Sequence, residues 1–168
     1  MLLVDILQDA LTTGTGTKRH LLVEAPFRSG SEMLPSMVAG VMARGLVPLF
    51  AHPERCSAFD PARDNARSAF SFLKGRSKTA DLQGTAIMKL HNSGCRFQGN
   101  LGSFAGVYGN DIKQRAVLFL NEGVYSCMGS DAHRSERLDR VLSDGLETVV
   151  ATIGEVAAFE LLSGVALK

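Results

Sequence analysis

"LFAHPERC", residues 49–56, is an apolar run that stops abruptly at a histidine, a proline and a charge pair. Two readings compete for it. Either a strand runs into an ordinary polar turn, or a strand delivers an imidazole, a carboxylate and a guanidinium to the rim of a fold. The neighbouring segments bear on the choice, because short apolar runs alternate with longer stretches of helical periodicity along the chain.

Upstream, "LLVDILQDALTTG" (residues 2–14) has apolar residues at helical spacing and runs into the turn "TGTGT". "HLLVEA" (20–25) reads as a continuous buried strand, "SEMLPSMVAGVMARG" (31–45) as a helix closed by Gly45, and "LVPLFAH" (46–52) as the next strand. "DPARDNARSAFSFL" (60–73) begins like a capped helix, and "KGRSKTADLQG" (74–84) reads as an exposed polar loop. Further on, "TAIMKLHNSG" (85–94) is helical, "CRFQGN" (95–100) a strand, "NDIKQRAVLFLNEG" (110–123) a helix and "VYSCMGSD" (124–131) a strand, with helix after it. The pattern predicts one α/β domain over residues 1–168, built of parallel βα units with right-handed crossovers. No repeat, low-complexity segment or linker divides it.

The bulk composition agrees with a globular chain: 45% of the 168 residues are hydrophobic and 21% charged. A formal net charge of +1 supplies no field for nucleic acid or an anionic membrane, so neither is expected as a partner. No apolar run reaches the roughly 20 residues of a membrane span, and the N-terminus has neither a basic n-region nor an uninterrupted apolar core. Three cysteines without C-x-x-C spacing suit reduced thiols in a cytoplasmic protein. Neither Cys56 nor Cys127 has an arginine at the C-x5-R offset, so a cysteine phosphatase loop is absent.

In parallel βα architectures, function collects where the carboxyl ends of the strands converge. The four predicted strands end at Glu24, at His52, at Gln98 and Asn100, and at Asp131 and His133. Asp131 and His133 stand two residues apart, so an extended backbone points both side chains the same way. Carboxylates and neutral imidazoles suit manganese, zinc or iron. Each residue also has an ordinary alternative. Glu24 fits an exposed carboxylate at a strand end, His52 a hydrogen-bonded histidine before proline, and Asp131 a helix cap. Arg55 and Arg137, each a few residues beyond a candidate ligand, are either solvated or placed to hold phosphate oxygens in their donor forks. Glu54 acquires no role from the sequence.

"HLLVEAPF", "GLVPLFAHPER", "GCRFQGNLGSFAGVYG" and "GVYSCMGSDAH", in this order, resemble the C-terminal portion of the PHP-superfamily protein-tyrosine phosphatases found with bacterial capsule and exopolysaccharide operons. The resemblance implies part of a distorted, TIM-like β/α barrel with metal ions, commonly manganese and with iron or zinc as alternatives, at the carboxyl ends of its strands. It places Glu24, His52, Asp131 and His133 at metal-ligand positions and Arg55 at a substrate-phosphate position. Arg137 is the nearest match to a second arginine, with Leu138 where the family has proline. The implied reaction is metal-assisted hydrolysis of a phosphomonoester, on a phosphotyrosine protein or a small phosphate ester.

The family's H-x-H element and first barrel strands have no counterpart in this sequence, so about half of the implied ligand set is lacking. The expectation is weak or no turnover by these 168 residues, and either self-association or an open βα arrangement in place of a closed barrel. The remaining alternatives are a non-catalytic module or remnant that keeps the fold, and another PHP-type phosphoesterase.

Overall fold

The computed structural model describes residues 12–13, 19–25, 32–61, 82–132 and 138–167. Within them, helices alternate with the strands of a single five-stranded sheet of order β1-β2-β3-β4-β5. The strands are β1 (Thr12–Thr13), β2 (Arg19–Val23), β3 (Leu46–Ala51), β4 (Arg96–Asn100) and β5 (Cys127–Gly129). The short β1 runs antiparallel to β2, and the other three ladders are parallel. Among the described residues β5 does not pair back to the first strand, so the sheet is open, as expected for a partial barrel.

Local sequence explains most of the elements. Helix α1 (Leu34–Met42) carries Pro35 in its first turn, where a missing N–H costs nothing, and the turn after it closes at Gly45 with φ +71°. Helix α2 (Ala86–Asn92) buries Ile87 and Leu90. Helix α3 (Leu101–Phe104) starts at the last residue of β4, where the Asn100 side chain caps it by accepting from Gly102 N–H at 2.7 Å. Helix α4 (Asn110–Asn121) follows Gly109, and α5 (Leu138–Ile153) and α6 (Glu155–Ser163) are followed by a 3-10 turn at Val165–Leu167. Among the described residues no helix is long and apolar enough to cross a membrane.

The core lies over the sheet and is organised by aromatic rings. Phe50 and Phe97, in register across β3 and β4, stack at 5.6 Å, and Phe59 meets both edge-on. Phe104, Phe119 and Tyr125 form a second group. Helix α5 lies against α3 so closely that a Cβ on Gly145 would overlap the Leu101 carbonyl.

Several expectations are corrected. Thr12 and Thr13 form strand, not the end of a helix, because they pair with Leu21 and His20; the rest of residues 1–14 lies outside the described residues. Strand β2 is not continuously buried, since Leu22 is 44% exposed near the sheet edge. The short helix α3 and the 3-10 turns Pro53–Arg55, Ser57–Phe59 and Val165–Leu167 were not anticipated. Of the segment 60–84, only residues 60–61 and 82–84 are described. Helix α6 exposes Val156, Phe159 and Leu162, three positions of one helical stripe.

Candidate active site

Parallel pairing brings the carboxyl ends of β2, β3, β4 and β5 to one edge of the sheet. Glu24 directly follows β2, His52 directly follows β3, Asn100 ends β4, and Asp131 lies two residues beyond β5. Two of them hold unusual backbone. His52 (φ 35°, ψ 58°) and Asp131 (φ 49°) are the non-glycine residues with positive φ among the described residues. A residue before proline normally adopts extended backbone, so a left-handed His52 ahead of Pro53 is strained, by about 1–3 kcal/mol. Strain of this kind persists only where the surroundings over-determine it.

The side chains converge on one atom. Asp131 Oδ2 accepts from Arg55 Nη1 at 2.8 Å and from Asn100 Nδ2 at 3.2 Å, and lies 3.7 Å from His52 Nε2. The same His52 Nε2 lies 3.2 Å from Glu24 Oε1. The histidine is buried, whereas the Glu24 side chain is 60% exposed. An imidazole between two carboxylates offers Nε2 either as a hydrogen-bond donor to them or, once deprotonated, as a lone pair to a cation. Arg55 also stacks on the half-exposed Tyr108, with its guanidinium carbon 4.1 Å from the ring centroid. Residue 102 packs tightly below it: a Cβ on Gly102 would lie 3.0 Å from Asn100 Oδ1 and 3.2 Å from the Tyr108 ring.

The turn carrying these groups is anchored from below. His52 N–H donates to the Gln98 carbonyl at 2.8 Å, which extends the β3–β4 ladder past its last pair. Glu54, with no exposure at all, accepts from Asn100 N–H at 3.1 Å and from the Tyr125 hydroxyl at 2.9 Å. Burial holds its carboxyl above the usual carboxylate range, against the opposing effect of the hydrogen bonds it accepts from Asn100 and Tyr125. The Tyr125 phenol is pushed well above its ordinary value, first by burial and then by the neighbouring Glu54 charge. Arg115 donates to the Glu54 carbonyl at 3.0 Å and pairs with Asp60 at 2.7 Å.

Of the residues singled out from the sequence, the fold thus brings together Glu24, His52, Arg55 and Asp131. His133 and Arg137 lie outside the described residues. Gln98 does not join the cluster as a contact to Asp131; its amide lies where a Cβ on Gly129 would stand, 2.8 Å from the side-chain nitrogen. The two other histidines, His20 and His91, sit in β2 and on α2. Sequence reasoning missed Tyr108, Tyr125 and Arg115, which reach the site only through the packing of α3, α4 and the segment before β5. It left Glu54 without a role although that residue stands between His52 and Arg55.

The donor types of Glu24, His52 and Asp131 suit a divalent cation. Their positions do not enclose one: among the described residues no three His, Cys, Asp or Glu side chains are grouped to hold a metal ion, and the Asp131 oxygen is engaged by Arg55 and Asn100.

No protein-family model and no curated protein matches the sequence. Among solved structures, one of those of YwqE from Bacillus subtilis and CpsB from Streptococcus pneumoniae, described as unique metal-dependent tyrosine phosphatases, superposes with a TM-score of 0.64 at 21% identity. The match covers 88% of this chain and 52% of the other, so the chain spans about half the length of the structure it matches. The four-stranded parallel sheet with its alternating helices is therefore a partial PHP-like fold, the fold of these tyrosine phosphatases.

Proposed function

We propose that the carboxyl edge of the sheet is a phosphomonoester site of the metal-dependent phosphatase type. One observation carries the reading: Arg55 and Asn100, from the ends of two neighbouring parallel strands, both donate to a single anionic oxygen, Asp131 Oδ2, with His52 Nε2 3.7 Å from it. Such a convergence of donors suits an oxygen of a phosphate as well as one of a carboxylate. The likeness to metal-dependent tyrosine phosphatases supports the same reading at the level of fold.

In this proposal Arg55 binds and orients the phosphoryl group through its donor fork, with its plane set by Tyr108. Glu24, His52 and Asp131, together with His133 from outside the described residues, would hold a divalent metal, manganese first and iron or zinc as alternatives, once Asp131 Oδ2 is released from Arg55 and Asn100. A bound ion supplies Lewis acidity and a nucleophile that is competent at neutral pH. Arg137 is proposed as a second anion contact, and the substrate as a phosphotyrosine protein or a small aryl phosphate.

The test combines metal analysis of the purified protein with hydrolysis of an aryl phosphate, with and without added manganese. The expected result is manganese uptake with weak turnover by the 168 residues, because they span about half of the structure they match. Retention of neither manganese nor phosphate would reject the proposal in favour of a module that keeps the fold without the chemistry. Turnover as fast as that of a full-length phosphatase would overturn the expectation that this portion is catalytically incomplete.

A further inference from the structure

Burying a carboxylate costs several kcal/mol unless hydrogen bonds replace its water, and an apolar side chain of similar size would fill the same space without that cost. Glu54 is fully buried, yet each of its oxygens has a donor. The identities of the donors matter. Asn100, whose N–H binds Glu54 Oε1, is the residue whose side-chain amide donates to Asp131 Oδ2, and Asp131 Oδ2 is held in turn by Arg55, the residue after Glu54. Glu54, Asn100, Asp131 and Arg55 therefore close a ring. The ring joins the turn after β3 to the ends of β4 and β5.

The backbone makes the same demand. His52 keeps a left-handed conformation in front of a proline, and such a conformation needs support from both sides. The Gln98 carbonyl holds His52 N–H on one side. On the other, Tyr125 and Asn100 hold the Glu54 carboxylate while Arg115 holds the Glu54 carbonyl.

We propose that Glu54 is a positioning residue: its buried carboxylate locks the turn that carries His52 and Arg55 to the Asn100 end of β4, and so sets His52, Arg55 and Asp131 relative to one another. The importance of that alignment rests on the phosphomonoester reading above, whereas the lock itself is testable without it. Glu54→Gln keeps the shape but sets an amide N–H2 group against one of the two donors. Tyr125→Phe removes one donor and keeps the ring.

The experiment compares the side-chain nitrogen resonances of His52 and Arg55 in folded wild-type, Glu54→Gln and Tyr125→Phe proteins by NMR, with His20, at the far end of β2, as the internal control. The expected result is that the His52 and Arg55 signals shift or broaden in both variants while those of His20 stay in place. A folded Glu54→Gln protein whose His52 and Arg55 signals coincide with wild type overturns the proposal. If Glu54→Gln does not fold, Tyr125→Phe decides it by the same two outcomes. Titration with inorganic phosphate in the presence of manganese is the second readout, with affinity about tenfold weaker in Glu54→Gln as the expectation. Unchanged affinity in that variant counts against the lock. A wild-type protein that binds no phosphate rejects the proposed function instead, and the resonances still decide the role of Glu54.

Discussion

Arg55 and Asp131 meet at 2.8 Å although 76 residues separate them and a whole strand, β4, lies between the two whose ends they follow. Both side chains are partly buried, at 19% and 28% exposure, so solvent screens the pair less than an ordinary surface ion pair. The contact shows how a parallel sheet turns sequence distance into proximity: β3, β4 and β5 end at the same edge, and the first residues beyond them face a common space.

From this geometry, Arg55→Ala removes the strongest anion donor of the site. Phosphate binding in the presence of manganese should weaken about 10- to 100-fold, the loss expected for a charged hydrogen bond of about 1.5–3 kcal/mol. Arg55→Lys should recover little of it, since an ammonium cannot reproduce a planar fork stacked on Tyr108. Calorimetric titration of both variants checks this. Wild-type affinity in Arg55→Ala would remove Arg55 from the site.

Asn100 performs two tasks with two atoms, which substitution can separate. Its Oδ1 caps α3 and its Nδ2 binds Asp131. Asn100→Asp keeps an acceptor for Gly102 N–H but puts a carboxylate oxygen against Asp131 in place of a donor. Asn100→Ala loses both and should cost about 1–2 kcal/mol in urea unfolding, most of it from the cap. The expected order of phosphate affinity is wild type, then Asn100→Ala, then Asn100→Asp, because the last adds a negative charge where the anion would sit. An Asn100→Asp protein that binds phosphate as tightly as wild type contradicts that order.

The fold was largely legible because short strand-like segments, the clearest of them the apolar β3, alternate with helical periods and turn residues. "LVPLFAH" became β3 with its boundary one residue before His52, and Gly45 marked the end of the preceding turn. Thr12–Thr13 was misread because two residues cannot display a period and their strand state comes from pairing with β2. At the site, Glu24, His52 and Arg55 were legible from position after a strand end, whereas Asp131 reaches it in another way than expected: β5 stops at Gly129, and Asp131 has left-handed backbone (φ 49°) instead of the extended one that the strand reading gave it. Glu54 was not legible, because its neighbours in sequence are polar while its neighbours in space are Asn100 and Tyr125, 46 and 71 residues away. Tyr108 likewise meets Arg55 only through tertiary packing, 53 residues away in sequence.

The three cysteines, Cys56, Cys95 and Cys127, are buried, and none of them forms a disulfide. Burial pushes the Cys127 thiol up to about 11, and Cys95 is raised by burial as well. A thiol whose folded value lies above its unfolded value binds its proton more tightly when folded. Its contribution to stability is complete below the unfolded value near 9.0 and is lost as pH rises through about 11. Cys127 alone accounts for about 2–3 kcal/mol across that window, and Cys95 and Tyr125 act in the same direction. Unfolding free energy should therefore fall between pH 9 and 11, more steeply in wild type than in Cys127→Ala. Equal slopes would dissociate the alkaline transition from Cys127.

Gly145 tests the packing that carries the site. It lies on α5, where a Cβ would overlap the Leu101 carbonyl, and Leu101 opens α3 directly after Asn100. Alanine ordinarily favours a helix interior by about 0.5–1 kcal/mol over glycine, so propensity alone predicts that Gly145→Ala stabilises the protein. Overpacking predicts the reverse, since backbone cannot rotate aside as a flexible side chain can, and typically costs about 1–3 kcal/mol. The steric term wins here because α5 must move away from α3 to admit the methyl group. Urea unfolding should show a net loss of about 1–2 kcal/mol. The displacement should also loosen the Asn100 cap and, through Asn100, the hold on Asp131, giving weaker phosphate binding in a protein that still folds. A Gly145→Ala variant more stable than wild type would mean that α5 does not lie against α3 as closely as the structure places it.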